Sequence, residues 1–245
     1  MIPKVIHYCW FGKNPLPPLA LKCIASWKKF FPDYEIKEWN EDNFNVNIIP
    51  YTQEAYTAKK YAFVSDYARF WILYNYGGLY FDTDVEIIKS FEDILSKGPF
   101  MGAEKRIRHN NDKIDVAAGL GLGANKGMTI YKTILDYYST LHFLDKNGIM
   151  IPKTVCHIVT EKLEEKGLKH TNDIQTIDGI TIYPAEYFNP IDFVTRRLHI
   201  NKYTHSIHWY MASWEVKTWK KTIKRLIRSI FPETWLLWYN KNLKK

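Results

Sequence analysis

The sequence predicts a single α/β domain, a mixed sheet flanked by helices, followed by a basic amphipathic helical tail. Three observations predict it. A chain of 245 residues can bury a sizeable core in one domain. Apolar residues recur at helical spacing in several segments, and short runs of strand formers lie between them. The formal charge of +8 is confined to one end. Residues 217–245 hold nine Lys or Arg against the single acid Glu233, whereas the preceding 216 residues carry 25 basic and 25 acidic groups. The body is therefore neutral and has no general attraction to polyanions. The division that follows is residues 1–215 for the domain and 216–245 for the tail.

Composition narrows the setting. Aromatic residues make up 16% of the chain, a share that suits a dense core and the handling of sugars or bases alike. Cys9, Cys23 and Cys156 have no paired spacing; an odd, scattered set indicates a reducing compartment without a disulfide framework. Met1 leads directly into a strand without a signal-peptide pattern, and no apolar run approaches the ~20 residues that span a bilayer. The expected location is cytoplasmic. No internal repeat or low-complexity segment breaks the pattern.

Pro3 to Gly12 begins with alternating apolar residues and ends in Trp10-Phe11-Gly12, a first strand whose carboxyl end suits a nucleotide edge. On its residues alone, Trp10 serves equally as a core aromatic or a ligand contact. Pro17 or Pro18 opens a helix to about Phe31, with Leu21, Ile24, Trp27 and Phe31 on one stripe. Pro32-Asp33 breaks it, and Tyr34 to Trp39 reads as the second strand. Asn40 follows as a turn residue, with a ribose contact as the sharper alternative. A helix over 53–60 leads into the stretch that organises the chain.

That stretch is Tyr61 to Glu86. At ~100° per residue Phe63, Val64, Tyr67, Phe70, Trp71 and Tyr74 crowd one helix face, and Asp66 and Arg69 share another. Gly77-Gly78 ends the helix. Leu79, Tyr80 and Phe81 form the apolar run of a strand buried on both faces. Asp82 and Asp84 come where that strand ends, an unfavourable place for carboxylates unless something binds there. Residues two apart on an extended segment point the same way, so both present hard oxygen donors to one point. Such a pair suits Mg²⁺ or Mn²⁺, ions that complete their shells with water and substrate phosphate, which indicates a metal-bound diphosphate ligand. Asp66 and Arg69 add a carboxylate and a guanidinium suited to sugar hydroxyls. A D-x-D by itself is weak evidence, since most occurrences are solvated turns; its place after helix, glycine pair and buried strand is the informative part.

Val85 to Ile88 resumes a strand, Phe91 to Leu95 forms a short helix and Phe100 to Ala103 a further strand. Lys105 to Lys113 is polar and basic and reads as a solvated loop, with a lid or acceptor contact as the alternative. GLGLGANKG, residues 119–127, has the wrong spacing for a dinucleotide fingerprint; its glycines let backbone pass close to a bound sugar. Amphipathic helices follow at about 128–141 and 153–166. Asp178-Gly179 marks a hairpin, and IYPAEYFNP, from Ile182, turns the chain toward Ser206 to Trp214. Alternation there puts Ile207, Trp209 and Met211 on one face and Ser206, His208 and Tyr210 on the other. His208 is a candidate third ligand, since neutral imidazole suits a mixed shell around Mn²⁺; the plainer alternative is a hydrogen-bonded structural histidine.

In the tail, Val216, Trp219, Ile223, Leu226, Ile227 and Ile230 fall within an arc of roughly 100° on a helical wheel. Lys217, Lys220, Lys221, Lys224, Arg225 and Arg228 fill the adjacent sector, and Trp235-Leu-Leu-Trp-Tyr239 follows Pro232. This pattern predicts a helix lying on an anionic membrane, each surface cation contributing on the order of 1 kcal/mol. A helix packed on the domain with a solvated basic face is the alternative. Nucleic acid is not an expected partner, because no binding motif accompanies the charge.

AFVSDYARFWILYNYGGLYFDTD resembles the signature of the glycosyltransferases whose sugar-binding region contains a DXD motif (glycosyltransferase family 32), with the glucosylating clostridial toxins as distant relatives. IPKVIHYCWFG, IYPAEYFNP and SIHWYMASW extend the resemblance over most of residues 1–215. It implies a GT-A fold with a Rossmann-like sheet, a nucleotide-sugar donor, Mn²⁺ or Mg²⁺, and transfer with retention at the anomeric carbon. It implies that Trp10 stacks on the base, and that Asp66 and Arg69 hold the hexose with help from Tyr80. It further implies that His208 rather than His205 joins Asp82 and Asp84 on the ion, and that Ser213 and Trp214 close over the donor phosphates. Trp209-Tyr210 stands where relatives often have His-Trp, a departure that bears on the acceptor side. The expected activity moves a hexose from UDP-hexose, or next from GDP-mannose, to a glycan acceptor, lipid-linked and destined for capsule or other surface polysaccharide. The expected site of action is the inner face of the cell membrane, reached through residues 216–245. Two other readings use the same residues: a metal-dependent hydrolase or nucleotidyltransferase, and a non-catalytic membrane-associated module that binds sugar nucleotides.

Overall fold

Along the chain the elements are β1 (Val5–Cys9), α1 (Pro18–Phe30), β2 (Glu35–Trp39), α2 (Pro50–Thr57), α3 (Tyr61–Tyr76), β3 (Gly78–Tyr80), β4 (Val85–Ile87), α4 (Glu92–Leu95), β5 (Phe100–Arg108), β6 (Asn111–Val116), β7 (Leu122–Ala124), α5 (Thr129–Ser139), α6 (Val155–Glu164), β8 (Gln175–Ile177), β9 (Ile180–Tyr183), α7 (Ala185–Phe188) and β10 (Ser206–His208). The computed structural model describes residues 1–108, 111–151, 153–192 and 197–211. Ser213, Trp214 and the tail expected over 216–245 lie outside the described residues.

The main sheet runs β2-β1-β3-β7-β5-β9-β8, with β6 paired to β5; β4 and β10 form a separate antiparallel pair. β1 is parallel to both β2 and β3, and β5 is parallel to β9, whereas β7 lies antiparallel between β3 and β5. The sheet is therefore mixed and flanked by helices, as expected. A parallel β1–β2 pair needs a crossover, and α1 supplies it, opened by Pro18 in its first turn. Its buried stripe is Ala20, Cys23, Ile24 and Trp27. Leu21, expected on that stripe, is 54% exposed, because residues 20, 24, 27 and 31 hold the i, i+4, i+7 and i+11 positions facing the sheet.

Two apolar clusters lie against the sheet. One gathers α3, α5 and α6 around Tyr67, Phe70, Tyr131 and Ile158; the other joins α1, β4 and α7 around Trp27, Phe81, Phe91 and Phe188. α3 is buried on more sides than its aromatic face alone predicts: Asp66, Arg69, Ile72 and Leu73 are buried, while Phe63, Trp71 and Tyr74 are half-buried. The cause is its position between α2, α5 and the sheet.

The Gly77-Gly78 turn is dictated by crowding. Both residues have positive φ, 68° and 97°, and a Cβ on Gly78 would sit 2.7 Å from the Val5 carbonyl oxygen. His7 secures this turn. Its Nδ1 accepts from Trp39 Nε1 at 3.1 Å, which leaves Nε2–H to donate to the Gly77 carbonyl at 3.0 Å. Burial pushes the imidazole down to about 4, so it is neutral at physiological pH. The strand entering the site is thus tied to β1 and β2 from behind.

Two turns elsewhere differ in outcome. Asp178 and Gly179 both have positive φ, 50° and 77°, the backbone of a two-residue hairpin linking β8 and β9, as expected. Within 105–113, expected as a solvated loop, residues 105–108 instead continue β5 and residues 111–113 belong to β6, in register from Ala103↔Val116 to Arg108↔Asn111. Charges on such a ribbon hide its strand character from a polarity argument, though they are what a sheet edge uses to avoid pairing with other chains. Among the described residues, no helix is long and apolar enough to cross a membrane.

Candidate active site

Directly after β3 comes Phe81, whose ring packs on Trp27 and Phe91 at centroid distances of 5.7 Å each. That anchor fixes where Asp82 leaves the sheet. The two aspartates converge, but not because the segment is extended. Val85 N–H donates to the Asp82 carbonyl at 3.0 Å, so Asp82 to Val85 is a tight turn. The turn swings Asp84 back, and single ligand atoms of Asp82, Asp84 and His208 all lie within 4.8 Å of one another.

Each carboxylate has its own support. Arg69 Nη2 lies 2.9 Å from Asp66 Oδ1 and 3.3 Å from Asp82 Oδ1, with a side chain only 4% exposed. Tyr80 donates to the same Asp82 oxygen at 3.1 Å, and its ring lies under the guanidinium, 5.0 Å from Cζ. Asp82 Oδ2 fills space that a side chain on residue 119 would take: a Cβ there would come within 2.1 Å of it. Of the glycines in GLGLGANKG, Gly119 is the one that serves the site; Gly121 and Gly123 instead admit the rings of Phe81 and Phe100.

Asp84 is held from β10. Its carbonyl accepts from Trp209 N–H at 3.0 Å, its Oδ2 from Met211 N–H at 2.7 Å, and His208 Nε2 lies 3.1 Å from Oδ1. β10 brings His208 there through antiparallel pairing with β4, where His208 stands opposite Val85. The alternation expected beyond His208 stops at that residue. Tyr210 has φ +49°, so Ser206, His208 and Tyr210 do not share one face of a continuous strand.

Electrostatics separates the four acid–base groups. Burial pushes Asp84 up, but His208 and the Met211 N–H outweigh it and hold this carboxyl below its ordinary value. Burial pulls His208 down, and Asp84 more than reverses that. Asp82 is pushed up by burial, aided by the charge of Asp84 and opposed by Arg69. Asp66 is pushed up to about 7 by burial, against the pull of Arg69. Two carboxylates and an imidazole around one point make an oxygen-rich mixed donor set that fits Mn²⁺ or Mg²⁺. The buried His208 Nδ1 has no partner among the described residues.

The remaining predicted positions divide plainly. Trp10 leaves β1 at the same rim as Asp82, since β1 and β3 run parallel; it is half-buried, its Nε1 donating to the Asn14 carbonyl. His205 is structural: buried, its Nδ1 2.6 Å from the Ser90 carbonyl and its ring stacked on Tyr187. Three residues escaped sequence reasoning: Glu104 on β5, Asn189 after α7, and Tyr210 in its actual role. Glu104, a carboxylate within a run of strand formers, is the one that carried a local signal.

Comparison with known proteins bears on the activity and the fold. Residues 17–101 match the family model of the glycosyltransferase sugar-binding region containing a DXD motif. The chain is 28% identical over 198 residues to an uncharacterized glycosyltransferase of Acanthamoeba polyphaga mimivirus, covering 77% of this chain and 76% of that protein. It is 28% identical over 123 residues to inositol phosphoceramide mannosyltransferase 1 of Schizosaccharomyces pombe, and 32% identical over 98 residues to mannosyltransferase 3 of the same organism. Those matches cover 45% and 38% of this chain but only 37% and 27% of the two Schizosaccharomyces pombe proteins. Among solved structures it is similar to the PaToxG glycosyltransferase, with a TM-score of 0.52 at 18% identity over 68% of this chain and 70% of that one, a likeness of fold. With α3, β3 and both aspartates inside the matched segment, residues 17–101 match a glycosyltransferase sugar-binding region with a DXD motif, and the chain is a glycosyltransferase with a GT-A fold.

Proposed function

We propose that the chain is a metal-dependent, retaining hexosyltransferase that takes its sugar from a nucleotide donor and passes it to a lipid-linked glycan at a membrane surface. The convergence of Asp82, Asp84 and His208 on one point beside the Arg69 bridge carries this reading. These three residues hold Mn²⁺ or Mg²⁺, and the ion, when bound, supplies positive charge for the departing diphosphate. Arg69 acts from behind, orienting Asp66 and Asp82 with its two ion pairs, and Asp66 meets the hexose hydroxyls. Tyr80 fixes Asp82 through its hydroxyl. Trp10 packs the base, and Ser213 and Trp214 close over the phosphates.

The bond from the anomeric carbon to phosphate breaks through an oxocarbenium-like state, by analogy with glycoside cleavage. The acceptor oxygen attacks from the same face and its proton passes to the departing phosphate, which gives retention without a protein nucleophile. UDP-hexose remains the first donor and GDP-mannose the second. The Schizosaccharomyces pombe relatives, named as mannosyltransferases for inositol phosphoceramide, support the mannose donor and a lipid acceptor. Residues 1–215 form the catalytic domain in this reading. Residues 216–245 bring it to the cytoplasmic face of the cell membrane, in the service of capsule or other surface polysaccharide, with no role for nucleic acid.

A panel of nucleotide sugars incubated with Mn²⁺ tests the reading. The expected product is nucleoside diphosphate, from one donor sugar above the others. Nucleoside monophosphate would instead mark a hydrolase or nucleotidyltransferase. Donor binding without turnover under any acceptor would mark a binding module.

A further inference from the structure

Tyr210 keeps a left-handed backbone that a non-glycine residue adopts only when its surroundings impose it. Its surroundings do so through the hydroxyl, which donates to Glu104 Oε2 at 2.9 Å and accepts from Asn189 Nδ2. Glu104 and Asn189 are 8% and 7% exposed and come from different parts of the fold, β5 and the end of α7. The phenol ring lies against the His208 imidazole, centroids 4.3 Å apart. On either side of Tyr210, the N–H groups of Trp209 and Met211 bond Asp84. Residues 208–211 therefore wrap Asp84, and Tyr210 pins the wrap. Packing alone asks for less: the buried phenols of Tyr131, Tyr138 and Tyr183 carry hydroxyls with no partner among the described residues.

We propose that Tyr210, clasped by Glu104 and Asn189, is a positioning residue that presets His208 and Asp84 for the divalent cation. The inference rests on the metal reading given above. A second observation points the same way. His208 Nδ1 and Asn189 Oδ1 are both buried without partners among the described residues. When Nε2 of a histidine gives its lone pair to an ion, Nδ1 keeps the proton and needs an acceptor. Asn189 Oδ1 is an acceptor of the matching kind, on the very side chain that holds Tyr210.

The test is Mn²⁺ binding to the full-length protein, stripped of metal with a chelator and titrated while free Mn²⁺ is followed by electron paramagnetic resonance. Tyr210→Phe removes one oxygen and leaves the ring. Its Kd should rise by about 10- to 100-fold, the range found when outer-shell partners of metal ligands are lost. Glu104→Ala should match it, Glu104→Gln should stay near wild type because an amide oxygen still accepts, and the double variant should be no weaker than the worse single. Unfolding midpoints of the metal-free proteins separate this from a merely structural role, which lowers the midpoint and leaves the affinity of the folded protein alone. A wild-type Kd in Tyr210→Phe, with binding still lost in Asp84→Ala, overturns the clasp and spares the metal site. Absence of Mn²⁺ binding in the wild type overturns both.

Discussion

Asp66 and Asp82 sit on either side of one guanidinium, and that arrangement decides how each behaves. Burial disfavours the ionised form of both, and a single Arg69 cannot fully offset two carboxylates. Asp66 should therefore titrate near pH 7 in the metal-free protein, visible in the side-chain ¹³C signal and absent from Asp66→Asn. The linkage sign follows from the folded value lying above the unfolded one, about 4. The unfolded chain releases this proton first, so stability falls as pH rises from about 4 to 7, and Asp66→Asn should be spared that loss. Mg²⁺ should move the midpoint down, since a cation at Asp82 favours an ionised neighbour. A midpoint at an ordinary carboxylate value without metal would contradict the account. At this scale, part of the site was legible. Asp82 and Asp84 stood out because they followed a buried strand, and Asp66 and Arg69 because helical spacing put them together. The Tyr210–Glu104 contact was not legible, since nothing local in a sequence encodes a bond between residues so far apart or a left-handed tyrosine.

Elements place these residues through glycine positions with different duties. Gly119 has no unusual backbone requirement among the φ values above zero, but a methyl group there collides with Asp82 Oδ2. Gly119→Ala should leave the thermal midpoint within a few degrees and cut transfer about 100-fold, the cost of misplacing a group by roughly an ångström. Gly78 is the converse case. Its φ of +97° and the nearby Val5 carbonyl mean that Gly78→Ala strains the chain behind the site. That variant should lose about 1–3 kcal/mol in urea unfolding. Equal effects on both readouts in both variants would show that the two glycines are not specialised in this way. Periodicity predicted the glycine pair as a helix end and Asp178-Gly179 as a hairpin, because those turns depend on local φ alone. It missed the β5–β6 ribbon, because a run of charged residues in a sequence reads as a loop. It also gave the wrong cause for the aspartate convergence, since a two-residue period cannot reveal a turn closed by the Asp82 carbonyl.

Across the whole molecule, the mixed sheet and its helical flanks were legible from alternating periods, while the sheet order was not. β7 is a three-residue strand with glycine at its centre, too short and too bland to announce that it inserts antiparallel between β3 and β5. The neutral body and the basic segment beyond it imply separable roles. A chain ending at Glu215 should cleave donor in solution and lose sedimentation with vesicles containing anionic lipid; retained binding to those vesicles would assign membrane contact to the domain instead. The central claim is that Asp82, Asp84 and His208 seat a divalent cation that makes the donor's diphosphate a leaving group. Nucleoside diphosphate release from the preferred donor, measured in wild type and Asp84→Ala with Mn²⁺ or with EDTA, tests it most directly. The account predicts release only for wild type with Mn²⁺, with Asp84→Ala at least 100-fold slower, as for loss of a group acting mainly on the transition state. Full activity of Asp84→Ala in the presence of EDTA would contradict it.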